Sequence, residues 1–495
     1  MDIVRHGAAK DNGEAFERLL TSIETAIEIN LNDGDMSFEN LESILLRVTN
    51  EAVRRHLQGR LQRIADAFGN EITVKRRRYR RHQPGRARYF SLCGSMMVNR
   101  WTYRPVDERN GKTIVALDLA AGVVQCATPA LAFAIAQGVA KAPIRSVEED
   151  LVAAFRVPPS RSKMDRVGRE LGRQVDGAVE EIEPLLRQRE MLPIGAKAIN
   201  LGIDRTTIPM EESTETERKL PKLKFVEGIG ATIEPVEEVK PKVVVRYRMG
   251  YVATFCITDE NCEPLVTRRY AAPAHDGPNR IIERIKADLE RALEQNPRLT
   301  IGIVQDGAAE MWNLMRGMLD SIPQLARPRQ MGIPRHWKET IDRYHLMEKL
   351  SLVLELLLPR NQRRRAEVYA GWNTALDHHA NAIQKIEKWI NDQKRGASQR
   401  VQAEIERIIG GYFAHPPQQF QYASLARFGL HQGSGVTEGA CKSLITMRAK
   451  RSGQRWRRVG ISSVLAIRSL LESDRLPAFW KHLKRRFVAP PKIAA

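Results

Sequence analysis

Residues 198–210 read AINLGIDRTTIPM: an apolar run of strand character that gives out on a single aspartate, Asp204. A second run with the same design follows at 299–307, LTIGIVQDG, and ends on Asp306. Short apolar runs bounded by polar residues and glycine read as buried strands. Between them lie KVVVRYRMGYVATFCIT (242–258) and PLVTRRYAA (264–272), two further strands, and PNRIIERIKADLERALEQN (278–296), an amphipathic helix. Beyond Asp306, AAEMWNLMRGMLDSI (308–322) reads as a helix, and ETIDRYHLMEKLSLVLELLL (339–358) starts as a strand and runs into a helix.

Three strands, then helix, strand, helix and strand, is the element order of a ribonuclease H-like α/β core. The core is expected at 195–358 and 426–495, interrupted by an all-helical insertion at 359–425. The second part holds a glutamate-bearing helix and a basic tail. Three modules are expected upstream, making the whole a multidomain α+β protein. Residues 1–70 form a helical module, with two helices expected between Ala15 and Phe68. Residues 71–120 form a basic β module, with a hairpin around Gly94-Ser95 and a strand in TIVALDL. Residues 121–190 resemble a helix-turn-helix unit, with Ser146 and Glu149 as a capping box. Residues 211–240, charged and proline-containing, are expected to be a loop.

A chain of 495 residues with 42% apolar content can build several packed cores. Its net charge of +20 favours a polyanionic partner, because cations placed on phosphates release counterions. The charge is clustered: KRRRYRRHQPGRAR (75–88) carries eight basic residues and no acid. Within that run Arg76, Arg77, Arg78, Arg80 and Arg81 are candidate phosphate contacts. Lys163, Arg166 and Arg169, partly on one face of the second helix of the helix-turn-helix pair, are candidates as well. Five scattered cysteines without a CxxC pair argue against a structural zinc site or a disulfide framework and fit a reducing cytosol. The N-terminus is too polar for a signal peptide, and the alanine-rich window from Ala120 is interrupted by Gln125, Pro129 and Gln137. No membrane partner is expected; the expected location is the cytoplasm, in association with the nucleoid.

Two aspartates at neighbouring strand ends would repel unless a cation lay between them. Oxygen ligands without His or Cys suit Mg²⁺ or Mn²⁺, and a pair of such ions serves phosphodiester chemistry. Taken singly, each Asp reads as a turn former. A third carboxylate, Glu438, occurs in GSGVTEGACKSLITMRAKRSGQRW (433–456), where a glycine-rich start leads into a helix expected to begin near Thr437. A glutamate there also suits the helix dipole, and Lys442, one turn on, is expected to pair with it. Arg448, Lys450, Arg451 and Arg455 follow as candidate DNA contacts, with Trp456 either stacked on a base or buried. Asp342 and His345, in IDRYHLMEKL, are candidates for supporting the metals or positioning a phosphate.

The segments LGIDRTTIPM, IVQDGAAEMW, IDRYHLMEKL and GSGVTEGACKSLITMRAKRSGQRW together resemble prokaryotic insertion-sequence transposases of the DDE type, nearest the Kra-type families and distantly the Mutator-like ones. The resemblance covers about 195–475. It implies Asp204, Asp306 and Glu438 as a catalytic and metal-binding triad, with Mg²⁺ or Mn²⁺ as cofactor, two ions being expected. It also implies a helical insertion before Glu438. The expected partners are DNA, both transposon inverted-repeat ends and target DNA, and further copies of the chain in a dimer or larger assembly. Arg205 departs from the glycine often found after the first aspartate, as does the long charged segment after Met210. A ribonuclease H-like nuclease that cuts without joining, a transposase-derived DNA-binding protein with an inert site, and a basic RNA-binding scaffold are the alternatives.

Overall fold

In the computed structural model, residues 37–213, 223–226, 230–233, 243–325 except Gly307, and 337–493 are described, with a few positions between 17 and 25. The first of the two helices expected at the N-terminus falls largely outside them. The chain forms two compact units: Met1–Ile135, Ile144–Val167 and Lys484–Ala495 make one, and Ala136–Pro143 and Gly168–Leu483 the other.

In the first unit helix α1 (Phe38–Asp66) is capped by Ser37, whose hydroxyl accepts from the Asn40 amide at 3.3 Å. Strands β1 (Glu71–Val74), β2 (Arg77–Ser91), β3 (Gly94–Pro105) and β4 (Ile114–Val115) pair antiparallel in sequence. The terminal strand β12 (Lys492–Ile493) adds to the outer edge of β1. Leu61 and Ala65 of α1 pack on Tyr89, Met96 and Val98 of the hairpin, so helix and sheet share one core and no packing boundary falls near residue 70. The hairpin turns at Leu92-Cys93, just before the expected Gly94-Ser95. Only Ile114 and Val115 of TIVALDL are extended. Ala116–Ala121 coil into a short helix, α2, that buries Leu117 in the core and sets Asp118 against the Tyr89 hydroxyl. Three helices follow: α3 (Pro129–Lys141), α4 (Ile144–Ala153) and α5 (Arg161–Asp176). Because α4 already begins at Ile144, Ser146 lies inside it and caps nothing. Helix α5 buries Met164, Val167, Leu171 and Val175 and exposes Arg166, Arg169 and Arg173.

The second unit, to which the C-terminal parts of α3 and α5 also belong, contains α6 (Val179–Arg187) and is built on a five-stranded sheet. Its strands are β5 (Ala198–Ser213), β8 (Val243–Thr258), β9 (Pro264–Pro273), β10 (Thr300–Gln305) and β11 (Trp337–Ile341), in the order β11-β10-β5-β8-β9. The first three in sequence are mutually antiparallel; β10 and β11 add parallel to β5. Helices α7 (Asn279–Gln295), α8 (Ala309–Asp320) and α9 (Arg343–Leu357) bury Ile285, Leu289, Trp312, Met315, Leu350 and Val353 in the core that the sheet shares. Each such side chain contributes about 1.5–3 kcal/mol.

The inserted helices α10 (Gln362–His378), α11 (Ala382–Lys394) and α12 (Gln399–Ile405) contribute Trp372, Leu376, Ile383, Ile386 and Ile405 to this same core. The insertion is therefore packed onto the sheet layer rather than around a core of its own. Within the segment expected as a loop at 211–240, β5 runs on to Ser213, and β6 (Leu223–Val226) pairs antiparallel with β7 (Gly230–Ile233). Helices α13 (Gly435–Ala440), α14 (Arg458–Leu471) and α15 (Leu476–Phe487) complete the chain, with α14 against β9 through the Ser469 hydroxyl, which accepts from the Ala271 amide at 3.1 Å. No helix among the described residues is long and apolar enough to cross a membrane.

Candidate acidic metal site

Strand register brings three aspartates to one edge of the sheet, but among the described residues the group whose ligand atoms all lie within 4.8 Å of one another is Asp342, His345 and Glu438, not the expected Asp204, Asp306 and Glu438. The parallel pairing of β10 with β5 runs from Thr300 beside Ala198 to Ile303 beside Leu201. Three residues further along each strand stand Asp306 and Asp204. On the other side of β10, Gln305 pairs with Ile341, so the next residues are Asp306 and Asp342. Three neighbouring strands thus reach the same edge of the sheet with an aspartate each. With its side-chain amide turned so that both groups are satisfied, Gln305 donates to the Ile203 carbonyl (2.6 Å) and accepts from the Ile203 amide (3.1 Å), which clamps this edge.

Helix α13 supplies the glutamate. It starts at Gly435, two residues before the expected Thr437, with Ser434 as its N-cap residue. The helix rests directly on β5: the Thr437 hydroxyl bonds the Thr254 hydroxyl at 2.8 Å, and a Cβ at Gly202 would meet Thr437 Oγ1 at 2.1 Å. Only glycine at 202 permits that approach. The glycine-rich start has the same logic, since a Cβ at Gly433 would lie 2.4 Å from the Tyr344 ring. The Ser434 amide donates to Asp342 Oδ2, and its hydroxyl donates to Glu438 Oε1 at 2.7 Å. The two motifs IDRYHLMEKL and GSGVTEG, far apart in sequence, therefore form one structure. Arg343 extends it to the insertion, where its guanidinium bonds Asp377, Gln432 and Asn373.

Asp204 Oδ1 accepts from the Arg205 amide (2.6 Å) and Oδ2 from the Cys441 thiol (3.4 Å). Burial pushes the Asp204 carboxyl above the usual range, and the charges of Asp306 and Glu438 add to that effect. Both acids are therefore within electrostatic reach of Asp204. Asp306 Oδ1 accepts from the Ala308 amide (3.0 Å), and its carbonyl accepts from the Trp312 indole (3.0 Å). Among the described residues neither aspartate is paired with a lysine or arginine side chain. Tyr412, from the insertion, is pushed up to about 12 by burial and by Asp306 and Asp342, which marks its phenol as a further neighbour.

Asp342 is fully buried and caps α9, accepting from the His345 amide at 2.9 Å. His345 Nδ1 lies 3.6 Å from Asp342 Oδ1 and 3.7 Å from Glu438 Oε1. One ligand atom from each of Asp342, His345 and Glu438 lies within 4.8 Å of the others, and this group could hold a metal ion. Glu438 thus faces Ser434 and His345, in place of the expected pairing with Lys442.

Several expected contacts find other roles. Arg448 is buried, donates to the Val139 carbonyl at 2.8 Å and stacks on Trp456; burial, with Arg451 and Arg468 nearby, pushes it down to about 10. The Trp456 indole donates to the Ala449 carbonyl (3.1 Å) and packs on the cluster containing Met210 and Leu444, so it is not offered to a base. The cause is a break in the helix. After α13 the turn widens over Cys441–Thr446, regular helix ends at Ala449, and Trp456 then pairs beside Met210. Lys442, Arg451 and Arg455 remain exposed, and Lys450 donates at 2.5 Å to the hydroxyl of Thr206, two residues on from Asp204. In the other unit, Arg77 pairs with Asp107 and Glu108, Arg78 and Arg80 share Glu71, and Arg81 stacks on Trp101. Lys163 lies over the Phe90 ring, and Arg76 occupies the β1–β2 turn with φ 69°. The thiol of Cys441 and the hydroxyls of Thr437 and Thr254 were not singled out by sequence; Cys441 lies three residues after Glu438, the spacing that returns a side chain to the same helix face. Compared with known proteins, the chain matches no family model and no curated relative.

Proposed function

We propose that the chain is a DDE-type transposase: a ribonuclease H-like enzyme that cleaves DNA at transposon ends and transfers the exposed 3′ strand into target DNA, with Asp204, Asp306 and Glu438 as its metal ligands. The observation that supports this reading is the parallel register of β5 and β10, which Asp204 and Asp306 each follow by three residues, together with the charges of Asp306 and Glu438 that raise the Asp204 carboxyl. The sheet order β11-β10-β5-β8-β9, three antiparallel strands followed by two parallel ones, supports the core type.

The residues fit a hard divalent cation. In a protein of net charge +20, the two aspartates have no basic side chain as partner among the described residues, and like charges near one another are relieved by a cation. Mg²⁺ or Mn²⁺, as a pair of ions, would supply Lewis acidity and a more acidic water or 3′-hydroxyl. The chain's own residues do the rest. The Arg205 amide and Cys441 thiol hold both oxygens of Asp204, and the Gln305 clamp fixes the strand ends. Ser434 orients Glu438. Lys450, bonded to Thr206 two residues on from Asp204, and the exposed Lys442, Arg451 and Arg455 would hold the phosphate backbone.

The test uses duplex DNA taken from both sides of the gene, where the transposase reading expects inverted repeats. The wild-type protein should cleave it only with Mg²⁺ or Mn²⁺, expose a 3′-hydroxyl and join pre-cut 3′ ends to a target. Cleavage without joining would make it a nuclease. A folded Asp204→Ala, Asp306→Ala or Glu438→Ala variant that cleaves at the wild-type rate would overturn the assignment, and a preference for RNA at matched salt would point to the scaffold reading.

A further inference from the structure

We infer that Asp342, His345 and Glu438 form a second cation site, of softer character than the three-carboxylate site, and that the two compete for Glu438. Glu438 Oε1 and Asp342 Oδ1 lie on either side of His345 Nδ1, at 3.7 and 3.6 Å. Those separations are too long for hydrogen bonds. They match the spacing of ligands about one ion: with bonds of about 2.1 Å in a tetrahedron, ligand atoms sit about 3.4 Å apart. His345 Nδ1 is shielded from solvent and has no hydrogen-bond partner. A shielded, unpartnered nitrogen this close to two carboxylates is a ligand position.

The support behind the ligands is in place. Asp342 is fully buried, with Oδ1 held by the His345 amide and Oδ2 by the Ser434 amide. Ser434 also donates to Glu438, so one serine orients two of the three ligands. An imidazole in the ligand set favours Zn²⁺ or Co²⁺ over Mg²⁺, which prefers oxygen alone. Three protein ligands leave a fourth position for water. Because Glu438 belongs to both groups, a Zn²⁺-type ion seated here withdraws it from Asp204 and Asp306 and blocks the hard-metal chemistry. That inhibitory limb rests on the transposase reading; the binding limb does not.

The binding limb is tested with Co²⁺ as a visible-absorption probe on the full-length Asp204→Asn/Asp306→Asn protein, in which the three-carboxylate site is disabled. Co²⁺ should bind one per chain with visible bands characteristic of four-coordination, and Zn²⁺ should displace it. Adding His345→Gln or, separately, Glu438→Gln should weaken binding at least about tenfold, with circular dichroism confirming the fold. Undiminished Co²⁺ binding in both variants, or no binding in the parent, overturns the proposal. On wild-type protein, Zn²⁺ should suppress Mg²⁺-dependent cleavage; undiminished cleavage at Zn²⁺ concentrations that displace Co²⁺ would overturn the competition. Co²⁺ binding in a protein that never cleaves DNA would remove the transposase reading and leave the site standing.

Discussion

Gly202→Ala should loosen the seat of the helix that carries Glu438. The added methyl would lie 2.1 Å from Thr437 Oγ1, 3.2 Å from Thr437 Cβ and 3.3 Å from Thr254 Oγ1. Both threonines are buried in the interface between β5, β8 and α13, so neither hydroxyl has open space to move into. Overpacking of this kind costs about 1–3 kcal/mol, and loss of the Thr437–Thr254 bond adds about 1 kcal/mol. The sum, about 2–4 kcal/mol, is measurable by urea denaturation with circular dichroism. Thr437→Ala removes the nearest atom, at a cost of about 1 kcal/mol through the lost hydroxyl pair. In that background Gly202→Ala should cost about 1–2 kcal/mol less, a coupling typical of residues in contact. A Gly202→Ala protein within about 0.5 kcal/mol of wild type, or the same cost in both backgrounds, would refute the seating of α13 on β5.

Cys441→Ala should weaken Mn²⁺ binding a few-fold, since the thiol–Asp204 bond is a weak one, and Cys441→Ser should restore it; equal binding by all three proteins would remove the positioning role. Asp288 is fully buried, which by itself would raise its carboxyl, yet Arg475 and Arg187 hold it below the usual range. Asp288→Asn should therefore cost about 3–5 kcal/mol at neutral pH. Because the folded-state value is depressed, the wild-type advantage is present above the unfolded carboxylate value near about 4 and is lost as the pH falls through the lower folded value; urea titrations across that window check both. Lys442→Ala or Arg451→Ala should each reduce the slope of log affinity against log salt for DNA by about 0.9. Arg448→Met, which changes a buried side chain, should leave that slope unaltered.

The sheet was legible because its strands are apolar runs with sharp polar ends. AINLGI and TIGIVQ are buried on both faces, so the residues where they stop, Asp204 and Asp306, stand out. Glu438 was legible from its place behind GSG. The joint between Asp342 and Ser434 was not: it is a contact between residues 92 positions apart, and neither motif carries a local sign of the other. Helical continuation from Glu438 misplaced Arg448 and Trp456, because a widened turn at Cys441–Thr446 resets the phase and the chain then runs extended beside β5. The basic run 75–88 looked free of acids because its partners, Glu71, Asp107 and Glu108, are brought to it by strand pairing. TIVALDL alternates like a strand, but coiling after Val115 allows Leu117 to reach the core.

If Asp204, Asp306 and Glu438 bind a divalent cation together, Mn²⁺ binding followed by electron paramagnetic resonance will show it. Wild-type protein should bind Mn²⁺, and Asp204→Asn, Asp306→Asn and Glu438→Gln should each weaken binding by about tenfold or more while remaining folded. Equal Mn²⁺ affinity in wild type and all three variants would contradict it.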